Sequence, residues 1–179
     1  QEKTNQKNIS SIKNLNLAYH PMYLGESNSA KVIYEFVDYN CGYCQKFHQE
    51  LINVMKDNSV KLVIIQMPIL GNFSEELTKL ALASSLQGQF KVVHDYLYSS
   101  ERKSEMQDIL ADLFLRGVDL DTLKNDLDSQ EVSDFLSIHR SYADEFKFTG
   151  TPATIIGNQI IPGFIDADKI NEILEKEFS

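Results

Sequence analysis

The sequence predicts an α/β fold into which an all-helical segment is inserted. Three observations predict it. Two extended apolar runs rich in β-branched residues, 31–37 and 60–67, flank a helical pattern. Across residues 74–146 every apolar stripe has helical spacing, and no turn signal marks a strand. β character then returns at Ala153, and the chain closes on an amphipathic pattern.

Residues 1–14 are polar, with Ile9 and Ile12 three apart. A short helix, a flexible arm and an oligomerisation handle all fit, and a flexible arm is the expectation. Residues 15–24, with Pro21, read as irregular and lead into the loop 25–29. The run 31–37 reads as a strand. Glu35 is its oddity, because a carboxylate there stands either on a solvated face or buried for a purpose. A helix is expected from Cys41 to about Lys56, with Asp38 or Asn40 as its cap. His48 falls on its apolar face and is expected as a packed, hydrogen-bonded histidine.

Asp57-Asn58-Ser59 is a turn, and the nearly all-apolar run 60–67 predicts a strand covered on both faces and ended by Pro68. In the helical stretch Leu77, Leu80 and Ala81 form one stripe and Phe90, Val93, His94 and Leu97 the next. Met106, Ile109, Leu110, Leu113 and Phe114 form the cleanest, and Val132, Phe135, Leu136 and His139 the last. His94 and His139 are expected as core residues. Residues 153–161 read as a hairpin turning at Gly157-Asn158. Asp166 is placed to cap the closing helix.

The 179 residues are 42% hydrophobic, enough to fill a core, and their formal net charge of -9 argues against nucleic acid and anionic membrane surfaces as partners. No apolar run approaches a membrane span. The chain begins at Gln1 without Met, which is compatible with a removed leader and an exported mature protein.

Cys41 and Cys44, in Cys41-Gly42-Tyr43-Cys44, are the only cysteines. A Cys-x-x-Cys closes too short a loop to serve as a structural staple. Zinc wants four ligands; there is no second cysteine pair, and His48 supplies at most a third ligand. Two incidental thiols are the other alternative, and a redox pair is the expected reading. Residues three apart on a helix share a face, so the two thiols can reach each other. Cys41 falls at the helix N-terminus, where unpaired N–H groups and the macrodipole favour negative charge, as a nucleophilic thiolate requires. Cys44, one turn in, is expected to be more buried and to resolve the mixed disulfide. Gly42 leaves room for a substrate backbone. Tyr43 is either an aromatic edge of the site or an ordinary helix-surface tyrosine. Thr151-Pro152 precedes the hairpin, and Pro152 is either a simple strand starter or a cis proline.

The segments Glu35 to Cys44, Pro68-Ile69-Leu70-Gly71 and Gly150-Thr151-Pro152-Ala153 resemble the DsbA-like branch of the thioredoxin superfamily, within it the exported bacterial Com1-like and ScsC-like group. The resemblance covers residue 25 to the C-terminus. It implies a thioredoxin fold with an inserted all-helical domain: residues 1–24 as an N-terminal arm, 25–70 and 148–179 as the thioredoxin-like domain, 71–147 as the insert. It implies Cys41 as nucleophile, Cys44 as resolving thiol and Glu35 as buried proton acceptor. Pro152 is implied as cis and facing Cys41, with Thr151, Gly42 and Tyr43 at the substrate.

The implied activity is thiol–disulfide exchange on unfolded or folding exported proteins in the periplasm. A membrane redox partner, either a quinone-linked oxidase or a thiol reductant, would reset the pair, with no metal or organic cofactor. Gly42-Tyr43 and Thr151 look like those of the superfamily's isomerases, which are oligomers joined through N-terminal segments. A disulfide-donating monomer is the first expectation, an isomerase or reductase the second, and a non-redox peptide-binding holdase the third.

Overall fold

The computed structural model describes Lys7, Ile9, Ser10, Ile12 and residues 22–179. At its centre is a five-stranded mixed sheet, in the order β1-β3-β2-β4-β5. Its strands are β1 (Tyr23–Gly25), β2 (Lys31–Val37), β3 (Val60–Gln66), β4 (Ala153–Ile156) and β5 (Gln159–Pro162). β2 and β3 are parallel, pairing Lys31 with Val60 and Val37 with Gln66, and α1 (Gly42–Asp57) supplies the crossover such strands need. β4 runs antiparallel to β2 and places Thr154 opposite Glu35.

The chain expected to be irregular up to Leu24 ends instead in β1, which pairs antiparallel with β3. Pro21 lies outside the described residues. β1 ends at Gly25, where a positive φ of 81° and a backbone oxygen 2.2 Å from any added Cβ leave room only for glycine.

Strand alternation divides the core. Ile33, Val37, Leu62, Ile64 and Ile156 face one way, with Phe47 and Leu51 of α1. The same cluster runs on into α2 (Asn72–Leu86), α3 (Phe90–Tyr98), α4 (Met106–Leu115), α5 (Leu120–Asp126) and α6 (Gln130–Phe146), the five helices between β3 and β4. Tyr34, Phe36, Val63, Ile65, Ala153 and Ile155 face the other way. Ile9 and Ile12 are buried on that second face, so these residues do not behave as the flexible arm expected of them: the alternation of β2 and β3 leaves an apolar surface there that they cover. Phe36 takes Phe148 edge-on at 4.7 Å and Phe146 at 6.1 Å.

The closing helix α7 (Ala167–Phe178) is capped as expected, Asp166 accepting from the Lys169 N–H at 2.9 Å. It packs against α1, whose Glu50 accepts from the Ala167 N–H at 3.0 Å. Among the described residues no helix is long and apolar enough to cross a membrane.

Candidate active site

Neither Asp38 nor Asn40 caps α1. Cys41 occupies the N-cap with extended backbone, φ -82° and ψ 112°, and no side chain caps the helix there. Asp38 is committed elsewhere. One carboxylate oxygen accepts from the Asn40 N–H at 2.8 Å, and the other accepts from Ile69 at 2.8 Å and Leu70 at 2.9 Å. Its backbone carbonyl accepts from the Cys41 N–H at 3.0 Å. A single buried carboxylate thus ties the segment entering the thiol pair to the loop leaving β3. The sequence shows this aspartate at a helix entrance but not that it reaches across to a second loop.

Both thiols are free. Cys41 is partly exposed, and its sulfur donates to the Thr151 carbonyl at 3.3 Å. The Thr151–Pro152 bond is cis, as one of the two sequence readings has it, and the Pro152 carbonyl is held by the Gly163 N–H at 2.9 Å. Cys44 is fully buried. Burial pushes its thiol well up from the ordinary range, while the Asp38 backbone and Thr151 pull the other way. A thiol so placed needs a base before it can attack.

Glu35 lies beneath this helix. Alternation puts it on the same face of β2 as Ile33 and Val37, and it is fully buried, which removes the surface reading. Desolvation raises its carboxyl well above the usual carboxylate range, and neither oxygen has a partner among the described side chains. Thr154, its cross-strand partner, is fully buried with its hydroxyl equally unpartnered.

The surroundings are open and apolar. Tyr43 is 63% exposed, with the Lys46 ammonium 5.4 Å from its ring centre, and an added Cβ at Gly42 would meet nothing within 4 Å. Ile69 and Leu70, held by Asp38, are also exposed. So is Phe164, which follows Gly163 and packs edge-on against Phe47. Tyr43, Ile69, Leu70 and Phe164 thus leave exposed apolar surface on the elements that carry the site.

His48, His94 and His139 are buried, as expected, although among the described residues the His48 Nδ1 lacks the hydrogen bond expected of it. Their company is not legible in the sequence. Tyr39, Gln66, His94 and Tyr98 join His48 in a polar pocket under α1. Burial lowers His48 to about 4 and His94 well below the ordinary histidine value. Among the described residues no cluster of His, Cys, Asp or Glu has the makings of a metal site.

A family model described as Thioredoxin matches residues 18–176. The probable disulfide bond formation protein D of Bacillus anthracis is 24% identical over 169 residues, which cover 86% of this chain and 76% of that one. Two solved structures share the fold. The thiol-disulfide exchange protein alpha-DsbA2 of Wolbachia pipientis has a TM-score of 0.85 at 24% identity, over 98% of this chain and 96% of that one. The catalytic domain of Proteus mirabilis ScsC has a TM-score of 0.83 at 23% identity, over 96% and 97%.

Proposed function

Because the chain belongs to the thioredoxin family, we propose that it is a thiol–disulfide oxidoreductase acting through Cys41 and Cys44. The observation that carries this reading is the pairing of a partly exposed cysteine at the start of α1 with a fully buried one a turn later, beneath which an unpartnered carboxyl is also buried. The disulfide bond formation and thiol-disulfide exchange named for its relatives point the same way.

In the oxidised protein a substrate thiolate attacks the Cys41 sulfur. The Cys41–Cys44 bond breaks and its electron pair leaves on Cys44. A buried thiolate is costly, so Cys44 takes a proton, and the raised carboxyl of Glu35 is the donor beneath it. A second substrate thiolate then attacks the substrate sulfur of the mixed disulfide, expels Cys41 as thiolate and leaves the substrate oxidised. Run in reverse, Glu35 as carboxylate takes the Cys44 proton, and the Cys44 thiolate resolves a mixed disulfide on Cys41.

Thr151 and Pro152 border the reacting sulfur, and Gly42 leaves space above it. Extended substrate chain would lie there, against Tyr43. The direction we favour is disulfide donation to exported proteins in the periplasm, with a membrane partner reoxidising the pair. Gly42-Tyr43 and Thr151 favour a second reading, an isomerase or reductase that works from reduced Cys41. Thiol trapping in cells separates the two. A mostly oxidised pair supports donation, and a mostly reduced pair supports the second reading. Insulin reduction and oxidative refolding of a reduced substrate test both against a non-redox holdase, for which Cys41→Ala would change nothing.

A further inference from the structure

The helices between β3 and β4 bring two unassigned polar side chains beneath the thiols. His94 and Tyr98 stand one turn apart on α3 and both face α1. Tyr98 stacks on His48 at 4.9 Å, and His48 itself lies one turn beyond Cys44. Tyr39 closes the third side, 5.0 Å from the Tyr98 ring.

The hydrogen bonds in this pocket have a direction. Thr78 donates to Gln66 Oε1 at 3.3 Å, and Gln66 Nε2 donates to the Tyr39 hydroxyl at 3.2 Å. Tyr39 is therefore left to donate to His94 Nδ1, 2.8 Å away. His94, neutral by burial, then carries its proton on Nε2. His94 Nε2, His48 Nδ1, the Tyr98 and Thr154 hydroxyls and both Glu35 oxygens are buried without a side-chain partner. Buried polar atoms find partners, and internal water supplies them where side chains do not.

We propose that Tyr98, together with Thr154, is a positioning residue for proton exchange at Cys44, its hydroxyl bonded through internal water to the Glu35 carboxyl. The proposal deepens the oxidoreductase reading and rests on it. When Glu35 yields its proton to Cys44, the carboxylate left behind is held by donors from Thr154 on its neighbouring strand and from Tyr98 on the helical segment. The proton returns by the same bridge. The titratable and charged groups facing Tyr98 are Cys44 and His48 from α1, Glu35 from β2, Asp38 and Tyr39 from the turn after it, His94 on its own helix, and Arg102 from the loop after that helix.

The test uses the full chain. Tyr98→Phe keeps the stack on His48 and removes only the hydroxyl; Thr154→Val does the same opposite Glu35. Each should slow release of Cys44 from the protein's disulfide about tenfold in single turnover with a dithiol peptide, with a displaced pH profile. The carboxyl of Glu35, followed by carbon NMR in the reduced protein, should titrate at higher pH in both variants, because a donor to its anion is gone. Wild-type rates, pH profile and Glu35 titration in variants that melt like the parent would overturn the proposal. The carboxyl titration needs no turnover. It decides the proposal even if Cys41→Ala retains full exchange and the oxidoreductase reading fails.

Discussion

Cys41 and Thr151 are 110 positions apart in sequence, and the sulfur of one lies 3.3 Å from the carbonyl oxygen of the other. That bond exists only while Cys41 carries its proton, since neither a thiolate nor a disulfide sulfur can donate. Loss of the proton, or entry of a substrate sulfur, frees the Thr151 carbonyl to accept from a backbone N–H. Under the proposed exchange, the event that deprotonates or bonds the Cys41 sulfur also frees a backbone acceptor beside it.

Alkylation should therefore discriminate between the thiols. Iodoacetamide should modify reduced native protein at Cys41 and leave Cys44 untouched until unfolding, because Cys41 is partly exposed and Cys44 is fully buried. Peptide mass spectrometry reads this directly. Cys44→Ser should trap mixed disulfides on Cys41, visible as adducts on non-reducing gels, and Cys41→Ser should trap none.

Asp38→Ala removes the acceptor for three backbone N–H groups. Leaving such groups unpaired costs about 1–3 kcal/mol. Urea denaturation should show a loss of that size. Insulin reduction should slow as well, since Ile69 and Leu70 lose their anchor beside the thiols. Asp38→Asn, which keeps an acceptor oxygen, should recover part of both.

Glu35 and His48 should give stability opposite slopes with pH. The Glu35 carboxyl is raised in the folded state, so above 4.5 the folded chain holds a proton that the unfolded chain releases, and stability falls as pH rises. His48 is lowered to about 4 from 6.5, so stability is full above 6.5 and is lost as pH falls toward 4, by about 3 kcal/mol over that interval. Glu35→Gln should flatten the fall in stability with rising pH and leave the variant more stable than the parent at neutral pH. His48→Phe should flatten the acid one. Denaturant midpoints across the pH range check both.

The second face of the sheet is testable by truncation. Phe36→Ala should cost about 3–5 kcal/mol and Ile12→Ala about 2–5 kcal/mol, both being fully buried. A surface-like effect of Ile12→Ala in thermal melts would show that residues near the N-terminus contribute nothing to the core.

Much of the fold is legible because periodicity reports burial. The runs 31–37 and 60–67, the helical stripes and the Gly157-Asn158 turn each carry a local signal, and each lies where the pattern puts it. The thiol pair and Thr151-Pro152 are legible for a different reason, a chemistry that few residue types supply. What escapes is long-range. Tyr39 and Tyr98 sit in different elements with ordinary neighbours, and nothing local says that their rings meet. β1 is three residues long, too short for alternation to show. Glu35 illustrates the limit: its strand is readable, but which face of that strand is covered depends on α1 and on helices that arrive later in the chain.

The five helices between β3 and β4 also set an order of events during synthesis. β1, β2, α1 and β3 leave the ribosome early, and both cysteines with them, while Thr151 and the strand that pairs with Glu35 follow only after the helices have been made. Until then the sheet lacks β4 and the edge strand β5, and Cys41 lacks the Thr151 carbonyl. Closing that long-separated pairing is the slow kind of step in folding. A nascent chain paused before β4 therefore carries both cysteines without the strand that pairs with Glu35 or the carbonyl that meets Cys41.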